Sequence, residues 1–511
     1  MFSLVTSGAV IGASSHLMQV ETDLSSGLPG FSMVGFVSEQ VKEAGDRVRV
    51  SLRNCGYTLP TGKITVNIAP ADLPKRGMVI DLPVAAGILC CMGELEQISL
   101  DGVLILGELG LGGEVRPVRG VLPIVEEAVR CGFRTCLLPQ GNVLEGAVAG
   151  GIRCVGIRDL PEMISYLKAD PEEQARRWPD REIDVEQLLE TADDAPPADF
   201  AAVHGQEGVK RAMEIAAAGF HNLLMVGPPG SGKSMMAKCL AGILPPLSRE
   251  EALEVSRIYS IAGRLPEGEP LITRRPFQAP HHSVTVKAFS GGGAVPVPGI
   301  ISLAHRGVLF LDEMPEFEKD ALNILRQPME DRRIVISRAS GSVTFPAGFL
   351  LVGAANPCPC GYYPDRNRCR CTQVEIERYQ KRIPGPVIDR IDLCVDVPCV
   401  PLDSILGEAK GESSAQIRGR ILEARLRQKH RFAGTGTEFN ADMTNAQVEQ
   451  YCHLGGPVKK LMKQIYEGLG LGARGYTRML KTARTIADLA GSADIQEQHL
   501  AEAAGYRFGG Q

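Results

Sequence analysis

Residues 222–237 read NLLMVGPPGSGKSMMA, and this stretch decides the fold. Leu223–Val226 is a short apolar run of the kind that forms a buried strand. It leads into Gly227, Pro228, Pro229, Gly230, Ser231, Gly232, Lys233 and Ser234, which match G-x-x-x-x-G-K-[ST] throughout. Glycines at 230 and 232 let the backbone come close to a phosphate and turn its N–H groups inward. Lys233 has the reach for β- and γ-phosphates, and the Ser234 hydroxyl suits Mg²⁺. Met235–Leu244 reads as a helix whose N-terminus faces the anion. Strand, loop and helix in this order predict a site for ATP with Mg²⁺.

A second motif lies further along at Gly307–Glu313, GVLFLDE. Its apolar run predicts a buried parallel strand with acids at the C-terminal end. Asp312 suits water on Mg²⁺, and Glu313 suits polarisation of an attacking water. A third strand, within Phe349–Ala355, ends at Asn356 and Pro357. These strands predict a parallel-sheet core over 200–398.

Composition bounds the rest. The chain has 511 residues, a net charge of −5, 44% hydrophobic and 23% charged residues, an ordinary soluble composition for two to four domains. Any polyanion site must be a local patch. No apolar run approaches the roughly 20 residues that span a bilayer, and the N-terminus has no basic n-region. Fourteen cysteines without a secretion signal point to thiols or metal ligands in a reducing cytoplasm.

Residues 1–168 are Gly- and Val-rich, with a strand at Ile64–Ala69, a basic amphipathic helix at Ser38–Asn54, a buried helix at Asp81–Met92, a strand at Val103–Leu106 and a helix at Leu122–Cys131. They predict a compact α/β domain. Gly107–Val118, GELGLGGEVRPV, resembles the Lon-protease-like domain. That resemblance implies a Lon fold. The positions of the active family's Ser and Lys fall near Asp81 and Leu122, which cannot act as nucleophile and base. A docking or assembly role is therefore expected, and a peptidase is the disfavoured alternative. Residues 169–199 are acidic, from Asp170 through Asp194 to Ala195-Pro196-Pro197, and read as a solvated connector with a little helix.

Several phrases carry a wider resemblance: FQAPHHS at 277–283, the run GIISLAHRGVLFLDE at 299–313, ANPCPCGYY at 355–363, GPVIDRIDL at 385–393 and ARGYTRMLKTARTIADLAG at 473–491. With the Lon-like front, nearly the whole chain is similar to the YifB/ComM family of Mg-chelatase-like AAA+ ATPases. The resemblance implies a ring of six subunits hydrolysing ATP, with DNA as partner in branch migration during natural transformation. A chelatase-type subunit acting on a protein partner is the alternative. The same resemblance implies residue roles. Gly205 and Gln206 lie against adenine, Asn356 senses the γ-phosphate, and Arg390 is an arginine finger for the neighbouring subunit. Arg474 is the sensor-2 arginine, with Arg478 as second choice. Residues 399–511, dominated by helical patterns, form the lid, with a basic face over Ala415–Arg431 and an amphipathic helix over Met479–Leu489.

Two insertions interrupt the core. Arg274–Gly293, with His281 and His282, is read as a mobile pore loop. Arg332–Phe345 alternates around a turn and predicts a hairpin. Arg333 and Arg338 on it are either surface decoration or contacts to DNA. Finally, Cys358, Cys360, Cys369 and Cys371 form two C-x-C pairs. They are either a tetrahedral Zn²⁺ site or free thiols, and Arg366 and Arg368 make the loop basic enough to face DNA.

Overall fold

The computed structural model describes residues 1–34, 39–70, 79–192, 198–266, 268–293, 295–338, 341–400 and 411–507, with the side chains of 39–42 and 338 outside that description. Its centre is a five-stranded parallel sheet. In spatial order the strands are Phe277–Gln278, Val308–Leu311, Leu350–Ala355, Leu223–Val226 and Leu393–Asp396. Numbered along the chain this is 2-3-4-1-5, and every pairing is parallel. The strands are almost wholly buried, as a sheet covered on both faces requires. The helices Glu207–Gly219 and Lys233–Ile243 contribute Ala212, Met213, Ala216, Leu240 and Ile243 to the same core.

The strand before the phosphate loop, Leu223–Val226, has the bounds expected from its apolar run. It is hydrogen-bonded to both Leu350–Ala355 and Leu393–Asp396. All three of these strands end on one edge of the sheet, and Asn356 follows the end of one of them.

The N-terminal part is α/β, built on a seven-stranded mixed sheet. Its longest strands, Phe2–Ile11 and Ser14–Ser25, form an antiparallel hairpin near the middle of that sheet. Neither strand is among the elements that the sequence predicts. Helix Asp81–Cys91 is buried at every position, so it has no polar face to give a period. Asp81 is fully buried. It accepts two hydrogen bonds from Arg47, at 2.9 and 3.0 Å, and one from the Leu109 N–H at 3.2 Å. Burial raises the pKa of this carboxyl, with Arg47 opposing. Leu122, at the other Lon-active position, is buried in helix Val121–Arg130.

A carboxylate so placed depends on its guanidinium. Arg47→Ala is expected to cost about 3–5 kcal/mol at neutral pH, because it strands a buried charge. Replacing both residues, as Arg47→Met with Asp81→Leu, should recover most of that loss. Urea unfolding of the N-terminal sheet reads both, and an Arg47→Ala midpoint equal to wild type would refute the argument.

The acidic stretch expected to be a solvated connector with a little helix has its helices, but it is also pinned by buried residues. Helices Pro171–Arg177 and Val185–Thr191 lie in it, and Trp178 and Val185 are buried. Trp178 stacks edge-on with Tyr166, with centroids 5.3 Å apart. Val185 packs with Leu122, Leu247 and Ala252, joining the N-terminal part to the core. Two apolar residues among many acids were enough to pin the chain. The acidic end at 193–197 lies outside the described residues.

Helix Arg249–Ala262 starts at a capping box between Ser248 and Glu251 and docks the N-terminal part. Arg257 pairs with Glu126 at 2.5 and 2.9 Å, and the Gly120 N–H donates to the Ser260 carbonyl. The C-terminal part is helical, from Ser414–Arg431 to Glu497–Gly505. Its helix Ala473–Leu489 begins six residues before the Met479 start expected from the sequence. Gly475, a poor helix former, hid those first turns, which carry Arg474 and Arg478.

Candidate phosphate site and its distant arginines

The loop 227–232 closes around the Lys233 ammonium. Lys233 donates to the carbonyls of Gly227 and Pro228, each at 2.8 Å, and lies 3.4 Å from Asn356 Oδ1. Burial lowers its pKa, and the nearby Asp312 carboxylate is the largest opposing influence. Gly230 and Gly232 have φ of +78° and +87°, and a Cβ on either would meet nothing within 4 Å. The left-handed backbone therefore leaves open space above the loop, where a side chain would be both strained and in the way. Ser231 is buried. Pro229 packs on Gly361 of the cysteine loop, where an added Cβ would lie 2.6 Å from Pro229 Cδ.

Ser234 Oγ donates to Asp312 Oδ2 at 2.7 Å. A hydroxyl and a carboxylate from two elements thus converge on one point beside the loop. Hard oxygen ligands of this kind suit Mg²⁺ bound together with phosphate oxygens. The open glycine cradle and this donor pair fit Mg·ATP, with Ser234 and Asp312 as the residues that would hold the ion.

Glu313 follows in a left-handed conformation, φ 48°, and its backbone N–H donates to Asp312 Oδ1 at 3.0 Å. This turn swings the Glu313 side chain away from that of Asp312. Glu313 Oε2 then lies 3.7 Å from His282 Nδ1. His282 stacks on His281, with centroids 4.0 Å apart. The segment read as a mobile pore loop therefore brings a histidine to the glutamate, a contact that the two distant motifs could not reveal.

Gln206, also left-handed at φ 59°, donates to the carbonyls of Ser231 at 3.0 Å and Pro398 at 3.1 Å. Together with Gly205 it forms the turn into helix Glu207–Gly219, beside the phosphate loop.

Arg390 and Arg474 sit elsewhere. Arg390 precedes the strand Leu393–Asp396, and its carbonyl accepts from Asn222, the residue before Leu223. That is the edge of the sheet opposite the phosphate loop. Crossing the four-residue strand Leu223–Val226 takes about 13 Å at some 3.3 Å per residue. Arg390 is buried and pairs with Glu330 at 2.6 Å. Arg474 is exposed and reaches the same Glu330 at 3.5 Å. Arg478 lies 3.7 Å from Asp392. Burial pushes the Asp392 carboxyl up, but His221 and then Arg478 outweigh it and hold its pKa at about 2. Burial lowers the pKa of Arg478, and Asp392 opposes that most strongly. These arginines line a cavity of about 760 Å³, with Arg306, Arg332 and Lys481 also on its wall.

Arg474, expected as the sensor-2 arginine, thus lies away from the phosphate loop of its own chain. The helical part packs on Glu207–Gly219 and Lys233–Ile243 and carries Arg474 to the far edge of the sheet. Glu330, which draws the two arginines together, had no signal in the sequence: it is an ordinary acid in the helix Arg326–Asp331. Arg390 forms its ion pair with Glu330 instead of with the acids that flank it in sequence; Asp392 serves His221 and Arg478.

The hairpin predicted around residue 339 is present as Arg333–Arg338 and Gly341–Pro346. Ile334, Ile336 and Phe345 are buried, while Arg333 faces outward. Val343 rests on the Gly12 turn of the N-terminal hairpin. The Arg338 side chain and residues 339–340 lie outside the described residues. In the cysteine loop, Arg368 lies over Tyr362 at 4.0 Å and Arg366 over Tyr363 at 5.0 Å. Arg366 also donates to the Cys371 carbonyl. Among the described residues, no helix is long and apolar enough to cross a membrane.

An all-parallel 2-3-4-1-5 sheet with the phosphate loop after its fourth strand in space is an AAA+ ATPase core. Family models agree: residues 199–405 match "Magnesium chelatase, subunit ChlI", residues 20–142 match "Subunit ChlI of Mg-chelatase" and residues 411–507 match the ChlI C-terminal model. The chain is 41% identical to "Uncharacterized protein YifB" of Salmonella typhimurium over 507 residues, 99% of this chain and 97% of that one. It is 40% identical to "Competence protein ComM" of Haemophilus influenzae over 506 residues, with the same coverage. Similarity to the "Magnesium-chelatase 38 kDa subunit" of Cereibacter sphaeroides is lower, 27% over 45% of this chain and 72% of that one. The chain belongs to the YifB/ComM family of Mg-chelatase-like AAA+ ATPases.

Proposed function

We propose that this chain works as a ring of identical subunits that hydrolyses ATP to remodel DNA. The observation that carries the ring is the separation of the two halves of the chemistry. Lys233, Ser234, Asp312, Glu313 and Asn356 share one edge of the core sheet, while Arg390 and Arg474 share the other. A head-to-tail arrangement brings one edge of a subunit against the opposite edge of the next, and closes into a ring when the rotation closes. In that arrangement Arg390 and Arg474 would meet the neighbour's phosphates.

Within one subunit, backbone N–H groups of 230–234 and the Lys233 ammonium bind and orient the phosphates. Mg²⁺, when bound, neutralises charge on the β- and γ-oxygens. Glu313 orients the attacking water and accepts its proton, and His282 fixes the Glu313 side chain. Arg390 stabilises charge on the transferred group. In the isolated chain Glu330 holds both arginines; a phosphate carrying more negative charge competes for them.

DNA as the substrate rests on the family resemblance, the competence name of one relative and the exposed basic residues Arg333, Arg366 and Arg368. The family resemblance implies branch migration. A second reading, an ATPase that acts on a protein partner, is favoured by the chelatase-subunit similarity. Forked or four-way DNA should raise ATP turnover at least about threefold at low salt, with the gain fading as salt screens phosphate contacts. Turnover indifferent to DNA, single-stranded, duplex or branched, would favour the protein-partner reading. A peptidase is disfavoured by the buried ion pair at Asp81, and an intact casein substrate after prolonged incubation with ATP is the expected result.

A further inference from the structure

The four cysteines of the loop after Asn356 come together in space. Cys358, Cys360, Cys369 and Cys371 place their sulfurs all within 4.8 Å of one another. Cys358 Sγ lies 3.3 Å from Cys360 Sγ and 3.7 Å from Cys369 Sγ. Four thiolates around one Zn²⁺, with Zn–S of about 2.3 Å in a tetrahedron, sit about 3.8 Å apart. The cluster is therefore close to the size of a single-ion site before any ion is added. The C-x-C spacing, unlike C-x-x-C, had left the alternatives level in the sequence; the fold brings the two pairs together.

Two further observations point the same way. The Tyr363 N–H donates to Cys358 Sγ at 3.4 Å, a backbone contact that supports a thiolate ligand. The loop also has almost no core of its own. Its buried cluster consists of Cys358, Cys369 and Ile376, with Cys360, Cys371, Tyr362 and Tyr363 packed around it. So small an apolar cluster is too little to hold a loop of this length in one shape, and a structural metal is the usual remedy.

The loop is also joined to the ATP-binding edge. It begins directly after Asn356-Pro357. The Pro357 carbonyl accepts from Gln380 at 3.3 Å, and Gly361 abuts Pro229 of the phosphate loop.

We propose that Cys358, Cys360, Cys369 and Cys371 bind one structural Zn²⁺, and that this ion braces the loop against Pro229 and so keeps the phosphate loop in shape. The site goes beyond the ATPase reading and its metal content does not depend on that reading. The bracing role does rest on it.

The test uses the full-length protein, purified without chelators. Metal analysis should find about one zinc per chain, and a mercurial thiol reagent should release it to a chromogenic indicator. The half-buried ligands are replaced together, as Cys360→Ser with Cys371→Ser; Cys131→Ser, at an exposed cysteine, is the control. The double variant should retain less than a fifth of the zinc, and the control all of it. In the same double variant, binding of a fluorescent non-hydrolysable ATP analogue should weaken about tenfold, while the far-ultraviolet circular dichroism stays that of the wild type. Wild-type protein that contains no zinc and takes up none from solution overturns the site. Zinc retained in full by the double variant places the ion elsewhere and also overturns it. Zinc lost with unchanged nucleotide affinity overturns the bracing role. Zinc bound to a wild type that fails to bind nucleotide would count against the ATPase reading and leave the metal site standing.

Discussion

Lys233→Ala should reduce ATP turnover by roughly a hundred- to a thousandfold or more, the scale on which removing one preorganised charged donor acts. The structure gives the reason. The ammonium is already held by two loop carbonyls and lies beside Asn356 Oδ1, so its position is set before nucleotide arrives. Its removal takes away the only side-chain cation described within the phosphate loop itself and frees the carbonyls it organises. Nucleotide affinity should fall as well, because the lysine meets ground-state phosphate as much as the transition state. Release of inorganic phosphate by purified protein is the readout. Turnover within twofold of wild type would move the ATP site away from this loop.

Arg390→Ala should behave differently. It lies on the opposite edge of the sheet from its own phosphate loop, so it has no means of touching the nucleotide of its own chain. As a finger supplied to a neighbour it should lower kcat by about a thousandfold or more, with nucleotide affinity changed only a few-fold. The contrast with Lys233→Ala is the informative part. A structural role would instead appear as a loss of thermal stability, since Arg390 is buried against Glu330. Equal melting temperatures with collapsed kcat separate the two. Arg474→Ala, on an exposed side chain, should show the same pattern without any stability cost.

Much of the core was legible from residue order alone. Leu223–Val226, Val308–Leu311 and Leu350–Ala355 are each continuous apolar runs, ending at the glycine-rich loop, at Asp312 and at Asn356, and such runs have few alternatives inside a parallel sheet. What the sequence left hidden was set by contacts between distant segments. Glu330 joins Arg390 to Arg474 across the chain, and His282 meets Glu313 through a loop that had been read as a pore element. The direction in which the helical part points sets how far Arg474 lies from the phosphate loop of its own chain, and no local pattern encodes that angle. Gly475 concealed the first turns of the helix that carries Arg474. The buried ion pair of Arg47 and Asp81 has no local signal either, because its two residues lie 34 apart in the chain. The four cysteines show the reverse case, where spacing left two options and three-dimensional proximity favours one.

The proposed ring depends on a catalytic centre shared between two copies of the chain. The most direct measurement mixes Lys233→Ala with Arg390→Ala, each inactive alone, after disassembly and joint reassembly. In a random head-to-tail ring about a quarter of the junctions join an intact phosphate loop to an intact arginine. The mixture should therefore regain ATP turnover of that order relative to wild type. Mixed assemblies that form, as differently tagged subunits copurifying would demonstrate, yet remain as inactive as either variant alone would contradict the shared centre.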